Sequence, residues 1–203
     1  MAALQSFVVC FIFAFAAILI PTSLFPSLKD SNDSLPKPFA DFPELISNFQ
    51  SHGLDLKDLV VLSGAHSIGL AKCVTFRPRI YIDTNIDKSF ATYMQQWCPV
   101  SGGDNNTEPL DATPAELDTV YYKALLENKG LLHSDQELFK NNECDSDKLV
   151  WYYSYNPGGF VKDFGVSMIK MGNIKPLTGN FGKVRLNCRK VNWQNSSYPE
   201  KQQ

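Results

Sequence analysis

The sequence has no excess of charge of either sign. Its 203 residues include 19 lysines and arginines against 21 aspartates and glutamates, which gives a formal net charge of -2. Proteins that bind nucleic acid or anionic membranes do so through a basic surface patch. The balance of charge therefore argues against a nucleic-acid partner. An apolar content of 44% also argues against a disordered chain, and the length predicts one domain.

Cysteine is scarce, and its spacing lacks the motifs of a cysteine-based zinc site. None of the five cysteines forms a C-x-x-C pair, and no cluster of histidine and cysteine accompanies them. Cys10 lies in the apolar N-terminal segment. Four cysteines remain for disulfides in an oxidising compartment: Cys73, Cys98, Cys144 and Cys188. They allow three pairings, and the spacing does not choose among them.

Charged residues are absent from the first 28 positions. Within that stretch, residues 7–20 form an unbroken apolar run, which suits the core of a secretory signal peptide better than a membrane span of about 20 residues. We expect residues 1–23 to be a signal peptide, residues 24–34 a linker, and the mature protein to be exported without a membrane anchor. Three glycosylation sequons are consistent with export, and they begin at Asn32, Asn105 and Asn195.

Strands of alternating polarity are also scarce, so the fold is predicted to be mainly α. Apolar spacing and capping signals predict helices over 43–50, 89–97, 119–128 and 160–171. Asp41 and Glu44 match a capping box at the first of these. Residues 56–62 could form a helix or a buried strand, and periodicity does not decide between them. Residues 99–114 are predicted to be a loop, 35–192 one domain and 193–203 a polar tail.

The stretch that carries candidate chemistry is Asp58-Leu-Val-Val-Leu-Ser-Gly-Ala-His-Ser-Ile-Gly69, where an apolar run meets a turn of small residues. One hypothesis makes Ser67 a nucleophile on a strand-turn-helix elbow, as in serine hydrolases. Its base would be His133, the one histidine downstream, and its acid would be one of Asp104, Asp111 or Asp118. The hypothesis is weak because a hydrolase fold needs several strands alternating with helices.

The other hypothesis makes His66 the ligand of a metal in a flat cofactor, which small neighbouring residues would allow to approach. An axial histidine needs an acceptor for its second ring nitrogen, and Asp135 is a candidate carboxylate. By itself, an isolated histidine is more often a hydrogen-bonded core residue than a ligand. The residues alone therefore favour the structural interpretation.

Several motifs, in order, overturn that preference. The stretch 59–69, with Cys73 and Phe76-Arg-Pro-Arg-Ile-Tyr81 after it, resembles the proximal haem-ligand motif of the class III haem peroxidases, the secretory peroxidases of plants. Leu35-Pro-Lys-Pro-Phe39 resembles the family's entry to its proximal half. Tyr121-Tyr122 and Gly130-Leu-Leu-His-Ser-Asp-Gln-Glu-Leu-Phe139 resemble its next block, and Arg185-Leu-Asn-Cys-Arg189 its C-terminal end. The chain is thus identified as similar to the proximal half of this family.

The resemblance implies a haem-dependent peroxidase fold, truncated to its proximal half, and roles for individual residues. His66 would be the axial ligand of the iron of haem b, and Asp135 would accept a hydrogen bond from its other ring nitrogen. Cys73 and Cys98 would form the family's proximal disulfide. Pro36 would lie at the rim of the haem edge, where small phenolic donors bind.

A calcium site beside the histidine is also implied by the resemblance. Its ligands would be oxygen atoms of five residues, which suits a hard cation: Ser67, Asp111, Thr113, Glu116 through its carbonyl, and Asp118. Asp111 precedes Thr113 by two positions where the family pattern has three. A cation bound there would hold the His66 segment in place.

The distal half of the family pattern is what the sequence lacks. In the family, a distal histidine and arginine split hydrogen peroxide, whereas here no arginine precedes Arg77. The only earlier histidine, His52, is expected to be a surface or capping residue. The resemblance implies a secreted enzyme of the extracellular space, cell wall or vacuole that oxidises phenolic donors with hydrogen peroxide. We expect this activity to be impaired here, or replaced by non-catalytic haem binding, and we expect exposed apolar faces that a partner or dimer would cover.

Overall fold

The structure is a computed structural model, and it describes residues 34–176, 178, 179, 184, 186 and 187. Residues Pro36–Met171 form one compact unit, and the described residues outside this range do not belong to it. The predicted signal peptide, most of the linker, the polar tail, Cys10, Cys188 and the sequons at Asn32 and Asn195 lie outside the described residues.

Helices dominate the described part of the chain, as the sequence predicts. They are α1 (Phe42–Ser51), α2 (Leu56–Ser63), a 3₁₀ turn (Gly64–Ser67), α3 (Cys73–Ile82), α4 (Lys88–Trp97), α5 (Val120–Leu126), α6 (His133–Gln136), α7 (Asp145–Tyr155) and α8 (Pro157–Gly172). Two short strands, β1 (Leu70–Lys72) and β2 (Thr107–Pro109), pair antiparallel with Ala71 opposite Glu108. No helix in this described part has the length and apolar composition that crossing a membrane needs.

The undecided segment over 56–62 is the helix α2. Its start is fixed by a capping box, because Asp55 Oδ1 accepts from Asp58 N at 2.9 Å and Asp58 Oδ2 accepts from Asp55 N at 3.0 Å. Leu59, Val60 and Val61 are all buried, which is why neither helical nor strand periodicity is visible in the run. The helix lies between α1 and α7 and ends directly at the turn that carries His66.

Other sequence expectations needed correction at the ends of elements. The capping box expected from Asp41 and Glu44 is wrong, because Asp41 makes no side-chain cap to α1 and instead lies 3.0 Å from the His133 ring. The last helix begins at Pro157, not at 160, and the predicted loop over 99–114 contains β2. Sequence reasoning missed the helices α3, α6 and α7 and the strand β1.

Among the described residues, two groups of buried side chains lie around the 3₁₀ turn. One joins α3, α4 and the 130–132 segment through residues such as Phe76, Ile80 and Met94. The other is a row of rings in mutual contact: Tyr121 and Tyr122 have centroids 5.1 Å apart, Tyr122 lies 5.4 Å from Tyr153 and 5.3 Å from Phe160, and Phe160 lies 5.5 Å from Phe164. This ring row packs α5, α7 and α8 against α2.

Candidate haem and calcium site

The 3₁₀ turn positions His66 at the end of the buried α2. Gly64 opens the turn in a place where no side chain fits, because a Cβ there would meet the Tyr122 hydroxyl and would lie 2.7 Å from the Phe160 ring. The His66 side chain is 39% exposed, so one face of the ring is open while its backbone is fixed by the packed turn. The sequence places a small residue here because the aromatic core leaves no room for a larger one.

The fold brings His66 and Asp135 together, although 69 positions separate them. His66 Nδ1 lies 2.8 Å from Asp135 Oδ1. Asp135 is 2% exposed, and its Oδ1 also accepts from the Tyr121 hydroxyl at 3.0 Å, while its Oδ2 accepts from Leu132 N at 3.2 Å. The carboxylate is thus held at both oxygens, and it holds the imidazole in turn. Sequence reasoning missed Tyr121 and Leu132, and only their place in the family motif could have indicated them.

The electrostatics favour an electron-rich imidazole. Burial lowers the pKa of His66, but the charge of Asp135 and its hydrogen bond outweigh burial and raise the net pKa above its ordinary value. Nδ1 is engaged by Asp135, and within the described residues Nε2 has no hydrogen-bond partner. A ring with one nitrogen anchored to a carboxylate and the other free is the arrangement that metal-ligating histidines adopt. The residues present therefore fit the axial ligand of a haem iron.

The five predicted calcium ligands also lie together. Ser67 is fully buried, and its hydroxyl donates to the Glu116 carbonyl at 2.9 Å and lies 3.2 Å from Asp118 Oδ1. Asp111 Oδ1 accepts from Thr113 N at 2.8 Å and lies 3.3 Å from Thr113 Oγ1. Two contacts hold the segment with Asp111 and Thr113 against the segment that follows Ser67: the hydrogen bond from Gly69 N to the Pro114 carbonyl, and the pairing of β1 with β2.

One oxygen of this group has no protein partner. Asp111 Oδ2 is the single buried side-chain oxygen or nitrogen of the described residues that makes no hydrogen bond. Burial raises the pKa of Asp111, and the charge of Asp118 raises it further, against hydrogen bonds from Thr113 that lower it. An orphaned carboxylate oxygen among oxygen donors is costly unless a cation binds it. The donor set is entirely oxygen, so the residues present fit Ca²⁺.

The structure also describes the cysteines, Pro36 and His52, for which the sequence analysis made predictions. Cys73 and Cys98 form the disulfide that the resemblance implies, with their Cα atoms 5.4 Å apart, and Cys144 is an exposed free thiol. Pro36 is half-buried, and the segment after it contacts α6 through a bond from Ser134 N to the Pro38 carbonyl. His52 ends α1, with its Nδ1 at 2.7 Å from the Asn48 carbonyl, as expected of a capping residue.

The nucleophile-elbow hypothesis finds no support in this geometry. Ser67 is the last residue of a 3₁₀ turn that follows a helix, not a strand, and its hydroxyl is buried against Glu116 and Asp118. The histidine that would serve as its base, His133, lies between two other carboxylates, Asp83 and Asp41.

Comparison with known proteins shows the family to which the chain belongs. A family model described as peroxidase matches residues 24–156. Peroxidase RIP1 of Medicago truncatula is 57% identical over 161 residues, which cover 79% of this chain and 50% of that protein. Peroxidase 4 of Vitis vinifera is 51% identical, and Peroxidase 49 of Arabidopsis thaliana is 48% identical, with coverage of 82% of this chain and 52% of each relative.

The chain therefore spans about half the length of the curated relatives it matches. The family match covers most of the described helices, and the similarity to plant enzymes extends over about four fifths of the sequence. The chain belongs to the peroxidase family and is a partial member of the class III peroxidases of plants.

Proposed function

We propose that this chain is an exported haem peroxidase half that holds haem b through His66 and acts on hydrogen peroxide and small phenolic donors. The observation that supports this most directly is the 2.8 Å contact between His66 Nδ1 and the buried Asp135. When bound, haem supplies the iron and porphyrin that exchange electrons with peroxide and donor. Pro36 would border the donor site at the haem edge.

The chain's own residues would prepare the ligand for that role. Asp135 keeps the proton on Nδ1, so that the Nε2 lone pair faces the open side of the ring. Tyr121 and Leu132 keep Asp135 from rotating away. Calcium held by Ser67, Asp111, Thr113, Glu116 and Asp118 would fix the residue that follows His66. These bonds restrict the position of the ligand before haem arrives.

Peroxide activation by the 203-residue chain itself should be slow. Splitting of the peroxide bond benefits from a positioned acid-base group and a nearby cation, and acid-base catalysis alone typically contributes about 10²–10⁴-fold. No arginine precedes Arg77, and His52 is bound to the Asn48 carbonyl at the end of α1. We infer an impaired enzyme or a non-catalytic haem-binding protein. Oxidation of a small phenol by the haem-loaded chain, compared with free haem at equal concentration, separates the two.

Haem titration tests the ligand assignment. The exported form should bind one haem with the Soret and charge-transfer bands of a five-coordinate, histidine-ligated iron. His66→Ala should abolish this spectrum, and Asp135→Asn should weaken haem binding by about 10–100-fold, because it removes the anionic acceptor. His52→Ala is the matched control and should bind as the parent does. Unchanged spectra in His66→Ala would contradict the proposal.

Calcium removal tests the second part of the site. Chelation should lower the thermal midpoint, because the Asp111 and Asp118 carboxylates are left near each other without a cation. The loss should disappear in Asp111→Asn, whose own midpoint should no longer respond to added Ca²⁺. Scanning calorimetry at fixed ionic strength measures this. A thermal midpoint of the parent protein that changes with neither chelator nor Ca²⁺ would contradict the calcium site.

A further inference from the structure

The ion-pair group around His133 joins three helix ends and is not used by the haem or calcium site. His133 begins α6, and its Nδ1 lies 2.7 Å from Oδ2 of Asp83, which directly follows α3. Its Nε2 lies 3.0 Å from Oδ1 of Asp41, which directly precedes α1, and 3.9 Å from Oε1 of Glu137, which directly follows α6. Lys140 pairs with the other oxygen of Glu137 at 2.8 Å. Both ring nitrogens of the histidine therefore face carboxylates.

This geometry requires a charged imidazole. A neutral histidine carries a proton on only one ring nitrogen, whereas the imidazolium donates from both. Ionised carboxylates only accept hydrogen bonds, so the contacts of His133 with Asp83 and Asp41 are both hydrogen bonds only when the ring is charged. Burial lowers the pKa of His133, but its hydrogen bonds with Asp83 and Asp41, together with the charges of Asp83 and Glu137, outweigh burial and raise the net pKa above its ordinary value.

The two contacts differ in how firmly the carboxylate is held. The Asp83 side chain is 16% exposed and also pairs at 3.1 Å with Arg79, whose side chain is fully buried. The Asp41 side chain is 76% exposed and makes no cap to α1. When the ring loses one proton, we therefore expect the remaining proton to stay on Nδ1, toward Asp83. The Nε2 lone pair then faces the carboxylates of Asp41 and Glu137, and the contact with Asp41 becomes repulsive.

The weaker contact lies where residues 36–41, which we call the entry segment, meet α6. Two backbone groups form hydrogen bonds at the same place. Ser134 N donates to the Pro38 carbonyl at 3.1 Å, and Phe42 N donates to Glu137 Oε2 at 2.7 Å. Of these three contacts, only the ion pair depends directly on the proton of Nε2. The titration of one histidine therefore changes how strongly the entry segment is held.

We propose that His133 forms a pH-dependent contact that holds the entry segment against α6 when the ring is charged and releases it when the ring is neutral. The folded pKa is raised, so the stabilisation is fully present below the unfolded value near 6.5 and is lost as pH rises through the folded value. The contact involves neither haem nor calcium. The entry segment contains Pro36, so its release would weaken donor binding at high pH; this consequence alone rests on the proposed function.

Amide hydrogen exchange of the exported chain without haem, from about pH 5 to about pH 9, tests this proposal, with the ring protons of His133 followed by NMR over the same range. After correction for intrinsic exchange rates, the protection of Ser134 N and Phe42 N should fall by about 3–10-fold as His133 loses its proton. In His133→Gln, the protection should be low at every pH, because glutamine carries no charge. His52→Gln is the matched control and should behave as the parent does, since His52 also lies at a helix end but contacts a carbonyl.

Two results would overturn the proposal. One is constant protection of both amides while His133 titrates, and the other is a pH-dependent loss in His133→Gln equal to that of the parent. If His133→Gln fails to fold, Asp41→Asn provides the second comparison, because it removes the exposed charge and leaves the ring in place. The pKa of His133 should then fall and the pH-dependent loss of protection should shrink, and an unchanged pKa would contradict the contact.

Discussion

Single residues in this structure act by joining elements that lie far apart in the sequence. Asp58 shows this outside the haem site. It is 1% exposed on α2, and it accepts from Ser167 Oγ at 2.6 Å and from Lys170 Nζ at 2.9 Å, both on α8. Burial raises the pKa of Asp58, but the Asp55 backbone bond and the contacts with Ser167 and Lys170 outweigh it, so that the net pKa is lowered.

This lowered pKa predicts an acid-dependent loss of stability. The carboxylate of Asp58 stabilises the fold fully above its unfolded pKa near 4, and the contribution is lost as pH falls through the lower folded pKa. Asp58→Asn should cost about 1–3 kcal/mol of unfolding free energy at pH 7, and the difference from the parent should shrink toward pH 3. Urea unfolding across that pH range measures it.

Asp145→Asn is the control for this prediction. Asp145 pairs with Lys148 at 2.8 Å, but both side chains are exposed, and such pairs contribute little. Its unfolding free energy should follow the parent at every pH. A loss in Asp58→Asn that is equally large at pH 3 and pH 7 would mean that shape, not charge, explains it.

The contact between His66 and Asp135 marks the limit of prediction at this scale. No local pattern joins two residues 69 positions apart, so only the family resemblance could pair them. The same limit explains why Asp41 was misassigned. A capping motif describes only the neighbouring backbone, whereas the Asp41 carboxylate contacts His133, which lies 92 positions away.

At the scale of elements, the join between α2 and the 3₁₀ turn leaves no room for a side chain at Gly64. Gly64→Ala would press a methyl group into Tyr122 and Phe160, and we expect a loss of about 1–3 kcal/mol from overpacking together with displacement of His66. Gly165→Ala is the matched control, because a Cβ on that residue of α8 meets nothing within 4 Å. There the change should stabilise the helix by about 0.5–1 kcal/mol.

Chemical denaturation of both glycine variants measures these opposite effects. Equal changes in the two proteins would contradict the steric account of Gly64. Haem titration of Gly64→Ala then reports whether the turn has moved, since a displaced His66 should weaken binding even where the protein remains folded.

Helices were predictable where apolar residues recur at helical spacing. For α4, the apolar spacing indicated the helix almost to its ends, and the structure adds a cap, because Asp87 Oδ1 accepts from Phe90 N at 2.8 Å. The helix α3 was missed for two reasons. Pro78 lies inside it, and Arg79 is buried on the inner face, where the helical pattern expects an apolar residue. Arg79 donates to the Gly130 carbonyl at 3.2 Å, a long-range contact that no local rule anticipates.

For the whole molecule, the disulfide is the main covalent constraint among the described residues. It joins the start of α3 to the residue after α4 across 25 positions. A loop of that size predicts a loss of about 3.5 kcal/mol when Cys73 and Cys98 are both replaced by alanine. Urea unfolding measures this, and a reducing agent should destabilise the parent but not the variant.

Cys144→Ala is the control, because Cys144 is exposed and unpaired. It should change the unfolding free energy by no more than about 0.5 kcal/mol. An equal loss in this protein would show that alanine, and not the missing crosslink, is responsible.

Apolar side chains remain exposed on the last two helices of the compact unit. Trp151 and Tyr155 are stacked with centroids 5.4 Å apart on α7, and Val161, Val166 and Ile169 are exposed on α8. Their exposure is consistent with the prediction of a covering partner or dimer, which stays a prediction. Sedimentation at increasing protein concentration would test it.

The ring row of α5, α7 and α8 has a spectroscopic consequence. Tyr121 lies with its centroid 6.2 Å from the His66 ring and contacts Tyr122, which contacts Tyr153 and Phe160. Rings fixed in an asymmetric environment give near-ultraviolet circular dichroism, which disappears when side-chain packing is lost. The protein without haem should therefore show near-ultraviolet dichroism from the rings that lie beside His66. Loss of this signal, with far-ultraviolet dichroism retained, would reveal a site that has loosened while its helices persist.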